Sequence, residues 1–154
     1  MNELNLRQIP IDLFSFKEEA NLIKEIDNSI KIVMVGLNDN QLKMIPSNIL
    51  GIQRTENAIQ LAEIYTAADV YFNPTYADNY PTTNIEALAC GTPVITYNTG
   101  GSTECITDSR FILEKGNYIQ VLELLKNIDS NLSVDKKEKK KKMIEKYIDL
   151  YKKI

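Results

Sequence analysis

Three short runs constrain the fold most: "KIVMVG" (31–36), "DVYFNP" (69–74) and "PVITY" (93–97). Each is nearly all apolar, as expected of a strand whose two faces are both covered. Between them lie segments of helical period. "ENAIQLAEIYTAA" (56–68) puts Ile59, Ala62, Tyr65 and the Ala67, Ala68 pair inward, and "TTNIEALACG" (82–91) reads as a helix stopped by Gly91 in a left-handed C-cap. "SNILGI" (47–52) is a weaker strand, "STECI" (102–106) a short helix and "RFILE" (110–114) a short edge strand. Such alternation predicts an open, mostly parallel sheet with helices on both faces, a Rossmann-like α/β fold.

The remaining segments fit one domain over 1–154 with no internal repeat. "SFKEEANLIKEIDN" (15–28) carries a capping box at Ser15 and Glu18, with Phe16, Ala20, Ile23 and Ile26 on one face. "NYIQVLELLKNI" (117–128) begins at an Asn117 cap, and 134–154 reads as an amphipathic helix with the stripe Ile144, Tyr147, Ile148 and Tyr151. The linker 129–133 separates them. Residues 1–12 are poorly defined: "ELNLRQI" reads as a strand of weak alternation, interrupted by Pro10.

Composition removes several function classes. The net charge of −3 gives no global support for nucleic-acid binding. The chain has no histidine, which takes away the commonest general base and neutral metal ligand. Cys90 and Cys105 lack a metal-type spacing, and usage in cytosolic chains favours two reduced, buried thiols over a bridge. No apolar run approaches the ~18 residues of a membrane span, and no basic region leads into an apolar core, so neither a span nor a signal peptide is expected. The lysine run "KKEKKKK" (136–142) reads as the solvated face of a helix, with contact to an anionic membrane surface as the alternative.

In open α/β sheets, ligands bind at the carboxyl ends of strands, where strand order reverses. The loops at 36–38, 53–55, 74–81 and 98–101 each follow a predicted strand. The loop at 74–81 is long for a strand-to-helix connection, where ~2–6 residues are usual, and it ends at Thr82 and Thr83. A helix start with two hydroxyls suits a phosphate, although Thr82 reads equally as a plain N-cap. Glu86, in the second turn among apolar neighbours, suits the vicinal hydroxyls of a ribose, or else lies on a solvated outer face. Gly100 and Gly101 either admit a ligand close to the backbone or make a simple turn. Glu104 behind them reads as a helix-dipole or capping residue. Neither G-x-G-x-x-G nor G-x-x-x-x-G-K-[ST] occurs, which argues against dinucleotide oxidoreductases and P-loop enzymes.

The stretch "FNPTYADNYPTTNIEALACGTPVITYNTGGSTE" resembles the nucleotide-binding half of the GT-B glycosyltransferases, specifically the retaining family-4 group. That group's signature is an acidic residue, seven residues, and Glu, then "EA-A-G-PV" and a "GG--E" turn. Asp78, Glu86, Ala87, Gly91, Pro93, Val94, Gly100, Gly101 and Glu104 fit it, and the likeness extends over roughly 13–154. The resemblance implies a hexosyltransferase-type donor site with Asp78 and Glu86 as its catalytic carboxylates. Glu86 would bind the ribose, and Asp78 the donor sugar with the amides around Asn79 and Tyr80. Thr82 and Thr83 would lie against the phosphates, Gln53 and Arg54 would face the base, and the Gly100, Gly101 turn would border the nucleotide. It further implies a nucleoside-diphosphate sugar as partner, no metal or other cofactor, and a cytoplasmic protein acting in capsule, surface-polysaccharide or glycan biosynthesis, with peripheral contact at the inner face of the membrane left open.

The likeness departs from the family at three points. Asp78 is one methylene shorter than the usual Glu. The Arg and Lys that normally neutralise the diphosphate have no clear counterpart, Arg7 being the nearest. The N-terminal acceptor-binding domain is expected to be missing, so the isolated chain is expected to bind without transferring. A non-catalytic nucleotide-sugar-binding or regulatory module is the alternative. A sugar-nucleotide epimerase of similar fold would need its own acid–base residues at the cleft, which the lack of histidine disfavours.

Overall fold

The computed structural model describes residues 6–8, 30–47 and 49–127. The helices expected over 15–28 and 134–154, the linker 129–133 and the lysine run lie outside the described residues. Among these residues the chain runs β1 (Leu6–Gln8), β2 (Lys31–Val35), α1 (Asp39–Met44), β3 (Ile49–Ile52), α2 (Ala58–Ala67) and β4 (Ala68–Asn73). It continues with α3 (Thr82–Ala89), β5 (Val94–Tyr97), two short 3-10 turns (Gly100–Thr103 and Ser109–Phe111), β6 (Ile112–Leu113) and α4 (Tyr118–Asn127).

The six strands form one sheet in the order β3-β2-β1-β4-β5-β6. Every pairing among them is parallel, from Ile32 against Ile49 at one end to Thr96 against Ile112 at the other. The expected fold class is therefore observed, with parallel pairing throughout the described strands. The all-apolar runs explain it. In β4, Val70 and Phe72 face one layer with Ile95 and Tyr97 of β5 and with Val121 and Leu125 of α4. Tyr71 and Val94 face the other layer with Ala62 and Tyr65 of α2 and Ala87 and Cys90 of α3. Neither face of β4 or β5 is left to solvent.

From β1, the chain proceeds outward to β2 and β3, then crosses back so that β4 lies on the other side of β1. Strand order thus reverses between β1 and β4, the kind of switch point at which open α/β sheets bind ligands. The loop 74–81 leaves β4 beside it.

Several local expectations need correction. Ile59 is 54% exposed rather than inward. At about 100° per residue, it lies about a quarter turn from the middle of the buried Ala62, Tyr65 face of α2. Ala67 is also exposed, at the end of that helix. The segment expected as a short helix at 102–106 is a 3-10 turn over Gly100–Thr103, and the edge strand shrinks to Ile112–Leu113. Helix α1 was not expected. It has no buried residue, but a capping box holds it: Asn38 accepts from the Gln41 amide at 2.9 Å and the Gln41 side chain accepts from the Asn38 amide at 2.8 Å. Asn117 caps α4 as expected. Neither Cys90 nor Cys105 is in a disulfide; Cys90 is buried as expected and Cys105 only half-buried.

Candidate active site at the mouths of the central strands

Helix α3 brings the signature residues to the strand mouths. Pro81 occupies its N-cap position and offers no side-chain acceptor, so Thr82 is the first helical residue rather than the cap. Thr82 is exposed and Thr83 half-buried. At the far end, Gly91 stands at φ 76°, the left-handed stop expected of it.

The helix is pinned from inside by a polar network. Asn84, 0% exposed, accepts from the Asn73 carboxamide at 2.8 Å and donates to the Ser102 carbonyl at 3.0 Å. Thr96 donates to the Asn73 carbonyl at 3.1 Å, Ser102 to the Tyr97 carbonyl at 2.9 Å, and Thr99 to the Thr75 carbonyl at 2.7 Å. Buried groups of this kind are tolerated because each is paired.

The loop carrying Asp78 rests on the turn after β5. The Gly101 amide donates to the Asp78 carbonyl at 2.9 Å. A Cβ on Gly101 would stand 1.7 Å from the Asn79 carbonyl oxygen, and one on Gly100, at φ 50°, 2.3 Å from that of Asp78. Only glycines let the two backbones touch here. The half-buried Asp78 carboxylate folds back to accept the Tyr80 amide at 3.1 Å. On its other flank the loop is anchored by Tyr76, which stacks on buried Tyr97 at 5.8 Å between centroids, with the Lys115 ammonium 4.7 Å above its ring.

Glu86 is half-buried and faces α2, where the Tyr65 hydroxyl donates to its Oε2 at 3.4 Å. Beneath it lies Tyr71, near the end of β4 and packed edge-on to Tyr65 at 5.3 Å. Burial pushes the Tyr71 phenol well above its ordinary value of 10. A hydrogen bond with Thr83 opposes that rise, and the negative charges of Glu86 and Asp78 add to it. Glu86 thus meets the Tyr65 hydroxyl on α2, while the Asp78 carboxylate is held by its own loop at the Tyr80 amide. Among the described residues, no three histidine, cysteine or acidic side chains are grouped to hold a metal ion, and no helix is long and apolar enough to cross a membrane.

Comparison with known proteins bears on the family and the fold. The sequence pattern of the family "Glycosyl transferases group 1" matches residues 15–148. The chain belongs to that family. Curated relatives include a D-inositol 3-phosphate glycosyltransferase of Mycobacteroides abscessus, 41% identical over 51 residues, or 33% of this chain and 12% of the relative. Another is the capsular polysaccharide biosynthesis glycosyltransferase CapM of Staphylococcus aureus, 23% identical over 114 residues, or 69% of this chain and 30% of the relative. Among solved structures, sucrose-phosphate synthase from Thermosynechococcus elongatus superimposes with a TM-score of 0.69 at 16% identity, over 99% of this chain and 46% of that one. Anabaena HepE in complex with UDP-glucose gives 0.62 at 12% identity, over 93% and 42%. The fold is that of GT-B glycosyltransferases. The chain spans less than half the length of each of these relatives.

Within this group 1 glycosyl transferase chain, Asp78, Asn79, Tyr80, Thr82, Thr83, Glu86, Gly100 and Gly101 gather around the mouths of β4 and β5. Gln53 and Arg54 do not join them. They are exposed at the mouth of β3, three strands from β4, or about 14 Å at the usual strand spacing. There the Gln53 carboxamide donates to Asp39 at the start of α1. Sequence reasoning overlooked Tyr65, Tyr71, Asn73, Asn84 and Ser102. The signal for Asn84 was its spacing: it shares a helical face with Ala87 and must be buried with it.

Two outcomes follow from this geometry. Replacing Gly101 with Ala drives a methyl into the Asn79 carbonyl and forces the loop off its seat. We expect a loss of at least ~1–3 kcal/mol in urea denaturation, of the kind overpacking causes; a variant as stable as the native chain would refute the contact. For Tyr71, the raised pKa means that the folded chain holds a proton the unfolded chain releases near pH 10. Its contribution is complete below that pH and is lost as pH rises towards the folded value. Melting temperature should therefore fall above pH 10, and less steeply in Tyr71→Phe; parallel profiles would contradict the assignment.

Proposed function

We propose that this chain is the donor-binding domain of a retaining, family-4-like glycosyltransferase. It would form the C-terminal half of a GT-B enzyme that transfers a hexose from a nucleoside-diphosphate sugar to a surface polysaccharide or other glycan at the cytoplasmic face of the membrane. The observation that carries this reading is the spacing of Asp78 and Glu86, seven residues between them, with Asp78 in the loop that rests on Gly101 and Glu86 on the helix that this loop enters. The UDP-glucose complex of HepE and the names of the inositol-phosphate and capsular glycosyltransferase relatives support the substrate class.

In this reading, Glu86 accepts both vicinal ribose hydroxyls, oriented by Tyr65. Asp78 and the amides of Asn79 and Tyr80 meet the sugar. Thr82, Thr83 and the first amides of α3 take the phosphates, and the dipole of α3 offsets the charge of the departing diphosphate without a metal. The Gly100, Gly101 turn holds the Asp78 loop against that site. The backbone at Gln53 and Arg54 takes the base, a separation of about 14 Å that one extended sugar nucleotide would have to span. Transfer needs an acceptor held across a closed cleft, which this domain alone does not build.

Calorimetric titration of the native chain with UDP, GDP and ADP tests the site. Binding of one of them should weaken by about 1.5–3 kcal/mol, or ~10- to 150-fold, in Glu86→Ala, the worth of charge-assisted hydrogen bonds to a ribose. An unchanged affinity rejects the Glu86 role. Glycosyl transfer by the purified chain alone, followed by chromatography of labelled donor, should be undetectable; measurable turnover would reject the view of it as half a catalyst.

A further inference from the structure

We infer that Asn84 is a positioning residue for this site, fixing where the first turn of α3 stands relative to the mouths of β4 and β5. The inference rests on the donor-site reading above and assigns Asn84 no contact with the nucleotide.

A carboxamide is an expensive choice for a fully buried helical position. It must be paired at both ends, whereas an aliphatic side chain on the same face as Ala87 would pack without that demand. What it brings is registry. Its Oδ1 meets the Asn73 Nδ2 at 2.8 Å, on the last residue of β4, and its Nδ2 meets the Ser102 carbonyl at 3.0 Å, in the turn after β5. The two partners lie on different segments, so one placement of α3 satisfies both bonds. Those partners are themselves held: Thr96 bonds the Asn73 carbonyl at 3.1 Å, and the Ser102 hydroxyl bonds the Tyr97 carbonyl at 2.9 Å.

Thr83 immediately precedes Asn84 and Glu86 follows two positions later, on one eight-residue helix. A shift of that helix moves the phosphate-facing hydroxyl and the ribose-facing carboxylate together. Binding groups need placement within ~0.5 Å, normally enforced by bonds behind them. Asn84 supplies those bonds from below, as the Gly101 contact supplies them for Asp78 from the side.

Two substitutions test this. Asn84→Leu removes both bonds with a side chain of the same branching, though a bulkier one. Asn84→Asp keeps the acceptor for Asn73, and when its carboxyl is neutral it also donates to the Ser102 carbonyl; when ionised it repels that carbonyl. Burial raises the pKa of such a carboxyl. UDP, GDP and ADP are titrated calorimetrically into the native chain, Asn84→Leu, Glu86→Ala, the double variant and, from pH 5 to 8, Asn84→Asp, with circular dichroism melts to establish folding.

We expect Asn84→Leu to bind about tenfold more weakly while folded, and the double variant to lose less than the product of the two single losses. Asn84→Asp should bind weakly at pH 8 and regain native affinity as pH falls, a profile the native chain does not share. Native-like affinity in Asn84→Leu, losses that simply multiply, or an Asn84→Asp profile parallel to the native one would each overturn the inference. If Asn84→Leu does not fold, the Asn84→Asp profile decides. A native chain that binds none of the three nucleotides overturns the donor-site reading, and this inference with it; native binding without the Asn84 effects overturns the inference alone.

Discussion

Backbone lies directly on backbone where the turn after β5 meets the loop after β4. Gly101 donates to the Asp78 carbonyl, and neither Gly100 nor Gly101 has room for a single methyl group. The rest of the site depends on this contact. It sets the height of the Asp78 loop above the sheet, and it places Ser102 so that its carbonyl can receive Asn84. Through Asn84 the same turn governs the start of α3, and through α3 the direction of Glu86. Two loops and a helix are thereby tied together at the end of a sheet whose strands β4 and β5 are buried on both faces.

Much of this was legible in the sequence because burial on two faces leaves its mark at every residue of a strand. "VYF" in β4 and "VITY" in β5 admit no polar alternate, so strand type, the helices between them and the loops at their carboxyl ends followed from the pattern alone. The spacing of Asp78 and Glu86 was equally visible. Strand β1 was harder to read because its alternation is poor, and its place at the centre of the sheet comes from pairing with β2 and β4 rather than from its own residues.

What escaped was decided by tertiary contact. Helix α1 buries nothing, so no periodicity announces it, and only the Asn38, Gln41 cap hinted at it. Ile59 looks apolar and inward on a helical wheel, but α2 meets the sheet along Ala62 and Tyr65 and leaves it outside. The glycine pair shows the same limit. Sequence says that something approaches the backbone closely; the first thing found there is the protein's own loop. Asn84 was hidden because a polar side chain paired inside a core looks, in one dimension, like any surface residue. Gln53 and Arg54 stand apart because the loops of a parallel sheet share an edge without sharing a place along it.

The strand order has one further consequence. Asp78, Glu86 and Ser102 lie close together along the chain, and the contacts among their segments close only short loops. The switch point in strand order is different, since it exists only when β1 pairs with β4 and Leu6 comes to lie next to Ala68. The entropy of drawing in the chain between those two residues falls on that pairing and spares the carboxylate-bearing unit. The nearby surface can thus be assembled from local contacts, while the middle of the sheet must await a distant strand.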